Sequence, residues 1–325
     1  MNEQRGGDDR SNETLVSKGE QINAQKSEIP DRGRRRHLSW GMDFDTRSLT
    51  LDQEIADHWE DRVKELHQNN KIKAREGLVA EFGELGIDGK IENFIAIDTK
   101  PFSTLGYHNR MFHQVRQSYV IGAYYPALVA ACALGERILN HLIIDLRKFY
   151  KTSPEYKKIY RKDSFANWDL PINTLDAWGV LLPEVVEEFL ALKNIRHRSI
   201  HFNMSTYQSL KDDALAAILC MRAVIEKQFG SHGPQPWFLK GTKGHLFIAR
   251  DYEENPFVQT YYLPNCPFVG PHFSMAYGDN GWKVIDYPDY GEGEWSDEEF
   301  AGAFEARSLE DLARMKESEE GGMLQ

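Results

Sequence analysis

Residues 124–146 read YYPALVAACALGERILNHLIIDL, a run long and apolar enough to form the central helix of a helical core. Leu128, Cys132, Leu134, Ile138, Leu139, Leu142, Ile143 and Leu146 recur at helical steps and cover more than one side of the predicted helix. A helix that is apolar on more than one side belongs at the centre of a core. The pattern starts upstream with Met111, Val115, Tyr119 and Ile121, so the most strongly helical stretch runs over residues 107–150. Pro126 lies inside it, and either opens a new helix in its first turn or kinks one long helix.

Outward from this centre the helical signal continues. Lys151–Val180 is polar and aromatic with Pro154, Pro171 and Gly179, which predicts a loop with short helices. Pro183 suits an early position of the next helix, whose apolar face is Val185, Val186, Phe189, Leu190, Leu192 and Ile195. A further helix is predicted over Leu210–Phe229, ended by Gly230, Gly233 and Pro234. On the other side, helices are expected over Thr50 to about His67 and over Lys71–Phe82, and a short β-like run over Glu92–Ile97. Residues 1–40 have few large apolar side chains and are expected to be disordered. Within them, Arg32-Gly33-Arg34-Arg35-Arg36-His37 is a basic run that is either solvated or in contact with RNA or another acidic surface.

After Pro236 the character changes. Leu246–Ala249, Val258–Tyr262, His272–Tyr277 and Trp282–Ile285 read as short strands, with Gly278-Asp279-Asn280-Gly281 as a hairpin turn. A short acidic helix is predicted over Asp297–Ala306. The expected fold class is α+β: a central all-α bundle (107–233) with a small, strand-rich acidic domain (234–306). The flanking segments are a mixed helical piece packing on the bundle (41–106), an N-terminal tail (1–40) and an acidic tail (307–325).

The chain of 325 residues carries a net charge of −11, which by itself argues against a nucleic-acid binder. From Lys240 onward, however, 17 acidic residues face 7 basic ones, so a net −10 of that charge sits in the C-terminal part. The middle of the chain is nearly neutral and does not repel phosphate. Three widely spaced cysteines, Cys132, Cys220 and Cys266, form neither a disulfide framework nor a zinc pattern. No run of about 18 consecutive apolar residues is present, so no membrane span is expected. The N-terminus has Glu3, Asp8 and Asp9 and no apolar centre, unlike a secretory leader, and a cytoplasmic location is expected.

The chemistry-bearing segment is Arg196-His197-Arg198-Ser199-Ile200-His201, at the end of the predicted helix after Pro183. Arginine offers a permanently charged fork of donors that fits phosphate oxygens. Histidine titrates near neutrality and serves in acid–base steps. The same residues also suit an ordinary basic helix end, since Lys193, Arg196, His197 and Arg198 complement the helix dipole. His197 and His201 share a helical face, but Arg198 stands where a metalloprotease has its glutamate, so no metal is expected. No phosphate-binding Gly-Lys-Ser/Thr loop and no Gly-x-Ser-x-Gly elbow is present, and the acidic turn Gly291–Glu294 would repel phosphate. His108 and His113, at the start of the long helical stretch, are expected at the surface or as caps.

An arginine, a polar residue, three further residues and a histidine near a helix end resemble the signature of HEPN (higher eukaryotes and prokaryotes nucleotide-binding) domains. The stretch Tyr124–Leu146, with Glu136 amid apolar residues, is similar to the long helix that precedes that motif, so the resemblance covers residues 107–230. It implies an α-helical bundle that dimerises and brings Arg and His of two subunits into one cleft, cutting RNA without a metal or other cofactor. On that resemblance Arg196 holds the phosphate, His201 acts as general acid or base, and His197 orients the site or binds the nucleotide. Asn203 and Arg198 support it. Glu136 either bonds Arg196 or is a surface carboxylate beside Arg137. The expected function is a metal-independent endoribonuclease of the toxin or phage-defence kind. Its expected partners are a second copy, RNA and an antitoxin or regulatory protein, with no membrane. The alternative is a non-catalytic dimeric module that binds nucleotide, RNA or a protein.

Overall fold

The computed structural model describes residues 32–41, 43–200, 206–244, 246–278 and 281–307. They are mostly helical, with a few short strands toward the C-terminus, an α+β composition. The chain divides into two compact units, one of residues 41–231 and one built from residues up to Trp40 together with those from His232 onward.

The first unit is helical. Its elements are α1 (Arg47–Asp52), α2 (Asp61–Phe82), α3 (Ile87–Ala96), α4 (Gly106–Val120), α5 (Tyr124–Leu146), α6 (Tyr156–Ile159), α7 (Asp169–Ala177), α8 (Pro183–Ile200) and α9 (Thr206–Phe229). Its core is α4, α5, α8 and α9: α9 packs on α8, α5 and α4, and α5 also packs on α4 and α8. Pro126 lies in the first turn of α5, so of the two readings it opens a helix; the break from α4 is the left-handed Gly122. The α5 side chains from Ala127 to Leu146 are buried on two sides, and each fully buried Leu or Ile contributes about 1.5–3 kcal/mol. By length and composition α5 could equally cross a membrane, which the absence of one unbroken apolar run had obscured; here most of it is buried among its neighbours. At Gly135 the α8 side chains pack close against the α5 backbone, since a Cβ there would meet Leu192 Cδ2 at 2.7 Å. The fully buried Gln228 ties the end of α9 to the start of α8: its Nε2 donates to Val180 O (3.0 Å) and its Oε1 accepts from Leu182 N (3.1 Å).

Three expectations for this unit are corrected. The β-like run Glu92–Ile97 lies mostly within helix α3, because Asn93 is turned inward to donate to the terminal carbonyls of α4, Tyr119 O and Val120 O (3.3 Å each). The predicted helix over Thr50–His67 is split by residues 53–60 into α1 and the first part of α2, which also absorbs the Lys71–Phe82 helix. His108 is neither surface nor cap: it is buried between Tyr107 and Phe229, ring centroids 4.3 and 4.8 Å away. Neither ring nitrogen has a hydrogen-bond partner among the described residues, and burial, followed by the nearby His141 and Arg137, lowers its pKa to about 3.

The second unit contains β1 (Arg36–His37), α10 (Pro256–Tyr261), β2 (Phe268–Val269), β3 (Ser274–Gly278), β4 (Gly281–Ile285) and α11 (Asp297–Ala306). β1 pairs antiparallel with β2, Arg36 opposite Val269, and β3 with β4, Ser274 opposite Ile285 through Gly278 opposite Gly281. Its core joins Leu38 to Leu239, Phe247, Val269, Phe273, Phe300 and Phe304. Residues 32–40, expected within a disordered tail, are therefore part of this unit; residues 1–31 lie outside the described residues. Three arginines of the basic run, Arg34, Arg35 and Arg36, are held by partners within this unit. Arg35 pairs with Asp286 and donates to Tyr287 O at 2.5 Å. Arg36, with no exposed side-chain surface, pairs with Asp297 at 2.7 Å and donates to Trp295 O at 2.8 Å. The guanidinium groups of Arg34, Arg35 and Arg36 lie 5.1, 4.9 and 5.3 Å from the rings of Trp295, Tyr290 and Phe300. Part of the C-terminal acidity thus answers arginines of the same chain.

Two predicted strands are also corrected. Val258–Tyr262 is mostly helix α10, because the Asn255 side chain caps the amides of Phe257 (2.9 Å) and Val258 (3.3 Å) and Pro256 follows it. Leu246–Ala249 makes isolated bridges among the described residues, Leu38 to Phe247 and Phe238 to Ile248, and no named strand. The helix over Asp297–Ala306 forms as read, with a Ser296–Glu299 capping box.

Candidate functional site

The exposed end of α8 carries the basic residues. The buried stripe Val185, Phe189, Leu192, Ile195 and Ser199 faces the core, and this phase turns Arg196 toward α5 and leaves His197 and Arg198 outward. Arg196 Nη2 lies 3.2 Å from Glu136 Oε2 on α5, and its guanidinium carbon is 5.5 Å from the Trp168 ring centroid. Trp168 Nε1 donates to the same Glu136 oxygen at 3.1 Å. Of the two readings of Glu136, the pair with Arg196 is the one formed. Arg196 remains 29% exposed, so the guanidinium is oriented on one side and open on the other. Its Nε and Nη1 have no partner among the described residues.

Arg198 has a different occupation. Its Nε and Nη2 donate to Asp213 Oδ1 (3.1 and 2.7 Å), and Asp213 Oδ2 accepts from Ser199 Oγ (2.8 Å) and Ser209 Oγ (3.1 Å). Burial would raise the Asp213 pKa, but the hydrogen bonds from Arg198, Ser199 and Ser209 outweigh it and hold it below its usual value. The clasp fixes the last turn of α8 to the second turn of α9. His197 is exposed on that last turn. His201 and Asn203 lie outside the described residues.

A cleft of about 380 Å³ runs along the outer face of α5, lined by Glu136, Arg137, Asn140, His141, Ile144 and Asp163 among others. Its far wall is anchored: Asn140 Oδ1 accepts from Phe165 N (3.1 Å), and Arg147 donates to Lys162 O (2.7 Å). Burial, then Arg137, lowers the His141 pKa, with Asp145 opposing, which favours the neutral ring. Among the described residues no group of His, Cys, Asp and Glu is arranged to hold a metal ion. Buried Cys132 and half-buried Cys220 have their thiols pushed up to about 12, chiefly by burial, which makes them poor nucleophiles near neutrality.

The sequence reading missed Trp168, Asp213, Arg137 and His141. Arg137 and His141, four apart with Glu136 and Asn140 between the same turns, were visible as a polar stripe on an otherwise apolar helix. Trp168 and Asp213 gave no local signal, because their roles come from partners 32 and 15 residues away. Comparison of the chain with protein-family models, curated proteins and solved structures found no match.

Proposed function

We propose that the helical unit is a HEPN-type, metal-independent endoribonuclease that works as a cytoplasmic homodimer, with an antitoxin or regulatory protein as its partner. The observation that carries this reading is Arg196, held by Glu136 and Trp168 at the open end of α8 with part of its guanidinium exposed. A phosphate oxygen arriving there meets an oriented fork whose remaining donors need no reorganisation. In the proposed reaction the 2′-oxygen attacks phosphorus, its proton passes to a histidine base, the bond to the 5′-oxygen breaks, and that oxygen takes a proton from an acid. His201 supplies the acid or base, and His197 contacts the nucleotide.

A toxin or phage-defence effector would use such an activity. The test is cleavage of single-stranded RNA in EDTA. His201→Ala and Arg196→Ala are expected to lower the rate by about a hundredfold or more, with helicity and dimer unchanged. Wild-type activity in His201→Ala would remove the mechanism. One observation favours the second reading, a dimeric module that binds without cutting. Arg196 and Arg198 are already paired with Glu136 and Asp213. An incoming phosphate therefore competes for charge that is partly satisfied. RNA binding with no cleavage by any preparation would select that reading.

A further inference from the structure

We propose that the α5 cleft is a second phosphate subsite for the RNA strand, in which Arg137 and His141 grip the nucleotide neighbouring the one at Arg196. Arg137 and His141 stand one helical turn apart on the face of α5 that lines the cleft. Neither has a hydrogen-bond or ion-pair partner among the described residues. The two acidic residues of the cleft are answered elsewhere: Glu136 pairs with Arg196 at 3.2 Å, and Asp163 lies 3.9 Å from Arg147. Among the described residues Arg137 is thus the cation that lines the cleft without a carboxylate paired to it, the His141 ring adds a nitrogen donor beside it, and the Asp145 carboxylate stands one turn further along α5.

The cleft joins the candidate site through Glu136, which faces the cleft and holds Arg196. From Glu136 to His141 the helix advances about 7.5 Å, which sets two anion-binding positions along one line rather than in one pocket. An open trough with successive contacts suits an extended strand better than an enclosed small ligand. Beyond His141, the exposed Tyr107 has its ring centroid 6.2 Å from the imidazole and offers an aromatic face for a base. The walls come ready-made, since Asn140 and Arg147 pin the loop opposite α5.

This inference rests on the RNA-cleaving reading, and the experiment separates the two. The probe is a 2′-O-methyl octanucleotide, which lacks the attacking hydroxyl and reports binding alone; cleavage of an unmodified dinucleotide reports the Arg196 site alone. Arg137→Ala and His141→Ala are expected to weaken octanucleotide binding about tenfold each and to leave dinucleotide cleavage unchanged. Arg137→Ala is also expected to flatten the slope of log affinity against log salt by about 0.7, the value for one phosphate contact on a single strand, which a packing defect would not do. Octanucleotide binding and salt slope that match the wild type in Arg137→Ala overturn the subsite alone, as does an equal loss of dinucleotide cleavage. Wild-type protein that neither binds nor cuts RNA overturns the catalytic reading and the subsite with it.

Discussion

The two units are held by different forces. In residues 41–231 the core is made by helices that carry their own apolar stripes, and each helix is written in one contiguous stretch of sequence. In the other unit a short basic strand is joined to partners more than 250 residues away, as in Arg36 with Asp297 (261 residues) and Arg34 with Tyr290 (256 residues). The helical unit can gain its stability from periodic burial, one helix at a time. The second unit needs a distant segment to deliver three arginines and Leu38 into a seat of carboxylates, carbonyls and aromatic rings. Loop closure must precede those contacts, so the second unit is expected to complete its fold late.

Arg36 is where the two units differ most. Arg36→Ala leaves Asp297 without its cation and empties a fully buried space, and should destabilise the second unit by about 3–5 kcal/mol. Hydrogen exchange resolved by peptide should show the loss in residues 268–304 and not in α5 or α9. Equal deprotection of both units would mean that they do not differ in this way.

Glycine-to-alanine substitution has a different cost in each unit. At Gly270 an added Cβ falls within the ring of Tyr290, whose hydroxyl bonds Asp286 Oδ1 at 2.5 Å, so the ring cannot move without breaking the arginine seat. Gly270→Ala should cost about 3 kcal/mol, at the upper end for overpacking. At Gly135 the added Cβ meets a Leu192 methyl at 2.7 Å, and alanine's better helix propensity offsets part of the strain. Gly135→Ala should cost about 1 kcal/mol by denaturant titration, and the reverse order would show α5 to be the less forgiving site.

Acid should separate the units by sign. His108 stays neutral in the fold, with a pKa near 3 against an ordinary 6.5, so the unfolded chain takes up a proton that the folded chain does not. Its contribution to the helical unit is complete above pH 6.5 and is lost as pH falls toward 3, at about 1.4 kcal/mol per pH unit. His108→Phe should flatten the fall between pH 6.5 and 4.5. In the second unit, burial raises the Asp286 carboxyl despite Tyr290, the Gly270 amide and Arg35, and this favours the fold on the acid side. Parallel acid curves for wild type and His108→Phe would remove the assignment.

The smallest effect belongs to the candidate site. Glu136→Gln keeps the side chain's shape and an acceptor for Trp168 but removes the ion pair with Arg196. Both partners are about a third exposed, so thermal stability should fall by less than about 1 kcal/mol. Freed from its carboxylate, Arg196 should bind a 2′-O-methyl oligonucleotide more tightly. Weaker binding would make Glu136 an orienting group whose aim matters more than its competition for charge.

How much of this was legible depends on range. The step of three and four in Leu128–Leu146 was enough for α5, and Ser296 with Glu299 was enough for α11, because each signal lies within a few residues. Glu92–Ile97 and Val258–Tyr262 were misread as strands for the opposite reason. Asn93 is satisfied by carbonyls of another helix, and the Asn255-Pro256 start that makes α10 a helix was outweighed by its apolar run. The arginine run drew attention by composition, yet nothing near it in sequence named Asp286 or Asp297.

The helical core and the basic end of α8 are written in the order of residues, since burial period and helix polarity are local properties of the chain. That order also locates the acidity after Lys240. Which charges are already answered follows from the fold: Arg34–Arg36 by the C-terminal segment, Arg198 by Asp213, and Arg196 in part by Glu136. Charge partners are chosen by distance in space, and their energies depend on burial, neither of which a linear order of residues contains.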